Sequence, residues 1–134
     1  MTPVAAPQAL TVKRIRILLA DDDLRVREMA NELLQAEFEV VDMVSDGEAL
    51  VAAAFRLRPD VIVTDISMPA MSGIEAVRQI RSVMPEIKFV FFTMHDANGY
   101  RREAQSAGAA GYVLKSSARE ELSRTIRDAM AASD

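Results

Sequence analysis

Apolar residues along this chain fall into two kinds of grouping: short unbroken runs, and longer stretches in which they recur at helical spacing. The runs cover 15–20, 40–44, 61–64, 89–93 and 112–114 and read as five strands. The third and fourth are apolar almost throughout, as expected of strands covered on both faces. Between the runs lie helical patterns. Val26, Met29, Ala30, Leu33 and Leu34 share one face of a first helix, and Leu50, Ala53, Ala54 and Leu57 share one face of a second. A third carries Ile74, Val77 and Ile80, and the last carries Leu122, Ile126 and Met130. Over 97–107 the stripe is thin (Tyr100, Ala104, Ala107) and is interrupted by Asn98, Gly99 and two arginines, so the fourth helix is expected to be the least stable.

Punctuation agrees with this division. Asp22 or Asp23 and Asp46 can cap helix starts, Gly108 can close the fourth helix, and Pro59 and Pro85 precede strands. Five βα units in succession, joined by right-handed crossovers, give a parallel sheet with helices on both faces. The expected fold is therefore a doubly wound α/β domain over 14–134, with 1–13 as a flexible lead-in that shows no period. In such folds a ligand sits beyond the carboxyl ends of the strands, where the strand order reverses.

Composition narrows the chemistry. A chain of 134 residues, half of them apolar, suits one domain with one buried core. No run approaches the roughly 18 apolar residues of a membrane span, and the first residues lack the pattern of a secretory signal, so the expected address is cytoplasmic with no membrane partner. Cysteine is absent and His95 is the sole histidine, which excludes thiol chemistry and any metal site built on sulfur or several imidazoles. A net charge of −4 disfavours direct contact with nucleic acid.

Polar residues stand where the fold expects a site. The first strand ends in Asp21-Asp22-Asp23, the third in Asp65 and the fourth in Thr93, while Lys115 follows the fifth. Taken singly, each has a plain reading as a cap, turn former, strand residue or surface lysine. Together they bring carboxylates, a hydroxyl and an ammonium to one end of the sheet, and clustered carboxylates repel unless a cation joins them. An all-oxygen donor set suits Mg²⁺, which keeps several waters and favours phosphate as a co-ligand. A carboxylate can also attack phosphorus, with lysine and metal neutralising the transferring group. Asp65, alone on the central strand, is the candidate nucleophile; Asp21 and Asp22 would hold metal, and Thr93 and Lys115 would contact the remaining oxygens.

This ordered set resembles the response-regulator receiver family. The Asp21-Asp22 pair, Asp65 followed by Met68-Pro69-Ala70-Met71-Ser72-Gly73, Thr93, and Gly111-Tyr112-Val113-Leu114-Lys115 match its pattern from about Arg14 to Met130. The resemblance implies the flavodoxin- or CheY-like strand order 2-1-3-4-5 and a phosphorylation-dependent switch of a two-component system. In that switch Asp65 is the phosphoacceptor. Asp22, Asp65 and the Ser67 carbonyl ligate Mg²⁺ directly, and Asp21 does so through water. Lys115 contacts the phosphoryl group, Thr93 is the switch hydroxyl, and Tyr112 is the aromatic that turns with it, changing the surface of the fourth helix, fifth strand and fifth helix. The implied partners are a sensor histidine kinase or phosphotransfer protein, a second copy of the domain, and a DNA-binding output domain beyond this chain. Thr93-Met94-His95-Asp96 and Gly108-Ala109-Ala110-Gly111-Tyr112 most resemble receivers of the LuxR or NarL sort. One departure is Ser116, where many receivers have a proline, often in a cis peptide; a cis bond before serine costs several kcal/mol, which leaves the loop after Lys115 open.

Two other classes share parts of this pattern. Phosphatases of the haloacid dehalogenase class use similar groups but carry the nucleophile early, in an Asp-x-Asp motif, whereas here Ser67 stands two residues after Asp65. A flavodoxin-type module needs a hydroxyl-rich loop after the first strand, which Asp21-Asp22-Asp23 is not. A non-enzymatic regulator fits best. His95 is expected to be a loop residue without a catalytic role, and Met68 and Met71 to pack or turn their loop.

Overall fold

The computed structural model describes residues 13–132, so most of the lead-in expected over 1–13 lies outside the described residues. Five strands and five helices alternate: β1 Arg16–Ala20, α1 Leu24–Gln35, β2 Glu39–Val44, α2 Gly47–Leu57, β3 Val61–Thr64, α3 Gly73–Val83, β4 Lys88–Thr93, α4 Asn98–Ser106, β5 Gly111–Leu114 and α5 Ala118–Ala131. A single 3₁₀ turn over Lys115–Ser117 joins the last two. The strands form one parallel sheet in the order β2-β1-β3-β4-β5, as expected from the sequence.

The unbroken apolar runs find their reason in burial. Every residue of β3 is buried, as are five of the six in β4, because helices cover both faces. On one face Leu18, Ile62, Phe89 and Phe91 pack with Leu50, Ala53, Ile74, Val77 and Ile80 from α2 and α3. On the other, Ile17, Val63, Val90 and Phe92 pack with Ala30, Leu34, Leu122 and Ile126 from α1 and α5. Alternation along each strand thus feeds two cores.

Helix starts follow the capping logic. Asp23 and Asp46 accept from the backbone N–H groups of Arg25 and Ala49. Ser72 does the same for Glu75, within a Ser-x-x-Glu spacing that suits a helix start. α4 has no side-chain cap and buries only Ala104. Its end is closed as expected: Gly108 adopts a positive φ of 94° and the Ala109 N–H returns to the Ala104 carbonyl. No cis peptide occurs among the described residues, the bond before Ser116 included, and no helix there is long and apolar enough to cross a membrane.

Candidate functional site

The carboxyl ends of β1, β3, β4 and β5 deliver Asp21, Asp65, Thr93 and Lys115 to one place. Parallel pairing sets this: Ala20 lies beside Thr64, so Asp21 and Asp65 emerge together, and Thr93 lies beside Leu114, so Lys115 emerges next to the end of β4. Three consecutive aspartates then divide the work. Asp21 is fully buried, its Oδ1 accepting from the Asp23 N–H at 2.9 Å. Asp22 is exposed, and Asp23 caps α1. Carboxylate oxygens of Asp21, Asp22 and Asp65 all lie within 4.8 Å of one another.

Asp65 is held from three sides. Its N–H donates to the Ala20 carbonyl at 3.0 Å, its Oδ1 accepts from the Ile66 N–H at 2.7 Å, and its Oδ2 accepts from Lys115 Nζ at 2.9 Å. Lys115 Nζ also lies 2.7 Å from Asp21 Oδ2. That contact is one of charge with poor alignment: Asp21 Oδ2 is buried and no hydrogen bond is directed at it. Burial raises the Asp21 carboxyl above its usual range, with Lys115 and the Asp23 N–H acting against the rise. For Lys115, burial acts to lower the pKa, but the Asp21 and Asp65 carboxylates overcome it and carry the ammonium above the usual lysine range. The two directions differ because Lys115 faces two carboxylates, whereas Asp21 has one ammonium to set against its burial. A second cation beside Asp21 Oδ2 would complete the balance, so the donor set fits a hard, oxygen-seeking metal ion.

A cavity of about 620 Å³ opens over this array, lined by Asp22, Asp23, Leu24, Asp65, Ser67, Thr93, Met94, His95 and Lys115. Ser67, exposed, and Met94, 79 % exposed, stand at its rim. Thr93 is buried, and its Oγ1 accepts from the His95 N–H at 3.2 Å. Five of the seven residues singled out by the sequence therefore line this cavity, Asp22, Asp65, Ser67, Thr93 and Lys115, and a sixth, Asp21, lies buried against Lys115. The seventh, Tyr112, is not among the lining residues. Its hydroxyl donates to the His95 carbonyl at 2.7 Å, its ring lies under Arg101, and burial raises its phenol pKa above the usual value.

Two features escaped sequence reading. His95, a loop residue near the site as expected, lines the cavity, and what its sequence did not signal is that its backbone links Thr93 to Tyr112. Arg101 pairs with Asp96 at 2.8 Å and lies over Tyr112; a separation of five residues, with Asp96 ahead of the helix, does not signal the first contact, and nothing local signals the second.

The chain belongs to the response-regulator receiver family, whose domain pattern matches residues 17–127. It is a receiver domain of a two-component response regulator, and its relatives lie among the LuxR and NarL types. A transcriptional regulatory protein of Bacillus subtilis, YxjL, is 42% identical over 118 residues, covering 87% of this chain and 54% of that protein. The chain thus spans about half the length of the curated relatives it matches. Among solved structures, the signal receiver domain of the response regulator NarL from Mycobacterium tuberculosis superposes with a TM-score of 0.86 at 28% identity, covering 90% of this chain and 99% of that one. A LuxR-family two-component regulator from Aurantimonas gives 0.84 at 35% identity, over 89% and 86% of the respective chains.

Proposed function

We propose that this domain is a switch that accepts a phosphoryl group on Asp65 from a phosphohistidine of a sensor kinase or phosphotransfer protein. The observation that carries the reading is the pairing of Lys115 Nζ with Asp65 Oδ2 at 2.9 Å inside a cluster of three carboxylates. An Asp65 carboxylate oxygen forms the bond to phosphorus as the P–N bond breaks. From a phosphohistidine protonated on its other ring nitrogen, the imidazole takes the bonding electron pair and departs as the neutral ring. Asp21, Asp22 and Asp65, with the Ser67 carbonyl, would hold Mg²⁺, which supplies positive charge against the phosphoryl oxygens when bound. Lys115 moves its ammonium from the Asp65 carboxylate toward those oxygens, and Thr93 turns its hydroxyl proton to them. The acceptor residue turns over no substrate of its own, so the domain is a regulator and not an enzyme. Through the α4–β5–α5 surface it would act on an output domain, a partner or a second copy of itself.

The test is mass spectrometry after incubation with acetyl phosphate, with and without Mg²⁺. One labile phosphoryl group is expected, only with Mg²⁺, and none on Asp65→Asn. Persistence of the modification in that variant would show that the acceptor is another residue. Calorimetry should show modest Mg²⁺ affinity that Asp22→Ala weakens, and equal binding by that variant would remove Asp22 from the metal set.

A further inference from the structure

Beside the carboxylate array, five residues form a chain of contacts along the β4–α4 loop, from Asp96 through Arg101, Tyr112 and His95 to Thr93. Arg101 donates through Nε and Nη2 to Asp96 Oδ1, at 3.1 and 2.8 Å, and its guanidinium carbon lies 4.5 Å from the centre of the Tyr112 ring. The Tyr112 hydroxyl donates to the His95 carbonyl at 2.7 Å, and the His95 N–H donates to Thr93 Oγ1. A hydroxyl that accepts this N–H keeps its own proton, so Thr93 can hold the His95 peptide and still donate to a phosphoryl oxygen.

Packing alone does not fix the Tyr112 ring. A second cavity of about 180 Å³ is bounded by the ring together with Arg101, Ala104 and Gln105, which leaves the aromatic side chain with open space at its border. Nor does the Arg101–Asp96 pair exist mainly for stability, since both side chains are well exposed, at 41% and 65%, and such pairs are worth little. What the pair does is set the plane of a guanidinium over an aromatic face, the arrangement that a cation–π contact needs.

We propose that Arg101, oriented by Asp96, is a positioning residue of the switch: it holds Tyr112 with its hydroxyl on the His95 carbonyl and, through that peptide, holds the Thr93 hydroxyl at the phosphorylation pocket. The proposal rests on the reading of Asp65 as acceptor. Loss of Arg101 releases the ring into the neighbouring space, loosens the His95 peptide and lowers the fraction of molecules with Thr93 in place.

The experiment compares wild type, Arg101→Ala, Arg101→Lys, Tyr112→Phe and the Arg101→Ala/Tyr112→Phe double variant. Ring signals of Tyr112 and the His95 amide are followed by NMR, and phosphorylation by acetyl phosphate at saturating Mg²⁺ is timed. In Arg101→Ala both sets of signals should move and the rate should fall about three-fold, the size of a partly exposed cation–π contact. Mg²⁺ affinity should stay at the wild-type value, and Arg101→Lys should recover part of the loss. In the Tyr112→Phe background, where no hydroxyl reaches His95, removing Arg101 should change the rate no further. Unmoved Tyr112 and His95 signals in Arg101→Ala, or an equal further loss in the Tyr112→Phe background, would overturn the proposal. If wild type itself takes up no phosphoryl group, the acceptor reading fails, and the ring and amide signals still decide whether Arg101 positions Tyr112.

Discussion

Gly73 stands directly behind the candidate acceptor, and Gly73→Ala tests how tightly the start of α3 fixes it. A Cβ added there would lie 1.8 Å from the Asp65 carbonyl oxygen, 2.9 Å from its carbonyl carbon and 3.2 Å from Thr64 Oγ1. Carbon and carbonyl oxygen ordinarily approach no closer than about 3.3 Å, so the two backbones must part by about 1.5 Å. Neither is free to move: the Gly73 N–H donates to the Ile66 carbonyl at 2.7 Å, and the Asp65 N–H to the Ala20 carbonyl at 3.0 Å. Overpacking of this kind costs about 1–3 kcal/mol, and the obstacle here is main chain, which places it near the upper end. Alanine's better helix propensity returns at most about 1 kcal/mol, leaving a net loss of about 2 kcal/mol. The chemical effect should be larger, because a reacting group displaced by about 1 Å can lose about 100-fold in rate. Gly99→Ala is the control: nothing lies within 4 Å of its added Cβ, and it sits in α4, so it should gain about 0.5 kcal/mol and leave the rate alone. Urea unfolding followed by circular dichroism measures the first quantity, and acetyl phosphate labelling of Asp65 the second. A Gly73→Ala protein with wild-type stability and wild-type labelling would refute the claim that this close approach positions Asp65.

Three other outcomes are expected. Arg58 ends α2 in the left-handed region at φ 48°, and its backbone carbonyl, which accepts from Arg16, survives substitution, so Arg58→Gly should raise the urea midpoint by the equivalent of about 1 kcal/mol; a lower midpoint would show that the Arg58 side chain contributes more than its strain. Thr93→Ala removes the acceptor of the His95 N–H and should cost about 1 kcal/mol; it should still accept phosphate but give much smaller phosphorylation-dependent NMR shifts at Tyr100 and Tyr112, and equal shifts would break its assignment as the switch hydroxyl. In metal-free protein, the raised Lys115 pKa means that its stabilisation is complete below the unfolded lysine value and is lost as pH rises through the higher folded value, so the stability gap between wild type and Lys115→Met should close only in that alkaline window. The raised Asp21 pKa acts with the same sign in acid: the folded chain binds that proton more tightly, so stability falls as pH rises from the usual aspartate value to the folded one, and Asp21→Asn should flatten that part of the urea-midpoint profile.

The strands were legible because burial on both faces leaves an unbroken apolar signature, which β3 and β4 carry almost without exception. The helix faces were legible for the same reason, and the site followed from topology, since residues next to strand ends in a parallel sheet must converge. Legibility stopped where tertiary approach decides. Gly73 reads as a turn former, but its role is to let α3 start against the Asp65 carbonyl, and Gly47 similarly meets the Met71 carbonyl, at 2.0 Å from its added Cβ. Ala70 and Arg58 adopt positive φ although neither is glycine or asparagine, so no local rule marks them. Ser72 with Glu75, by contrast, is a cap that its Ser-x-x-Glu spacing makes readable. The Arg101–Tyr112 contact joins α4 to β5 and has no signature in spacing.

Energetics then ask what the switch can draw on. A shift from about 1:99 to 99:1 needs about 5.5 kcal/mol of differential stabilisation. A hydrogen bond from Thr93 to a charged phosphoryl oxygen supplies about 1.5–3 kcal/mol. Lys115 adds less than a fresh ion pair would, because its ammonium already lies within 2.9 Å of both Asp21 and Asp65 and gives up one set of contacts to make another. The two together reach the requirement only if the competing arrangements of the β4–α4 loop are nearly balanced beforehand. The structure favours that balance at α4, which lacks a capping side chain, buries only Ala104 and borders open space at Tyr112. Tyr112 also contributes on the docked side, since its hydroxyl bond to His95 must break whenever the loop leaves. Removing that hydroxyl should therefore reduce the fraction of phosphorylated molecules in the switched state while slowing acceptance of the phosphoryl group only about three-fold, as loss of Arg101 does. NMR of phosphorylated Tyr112→Phe, read at the α4 amides, measures that fraction; a population equal to wild type would mean that the loop is held by Thr93 and Lys115 alone.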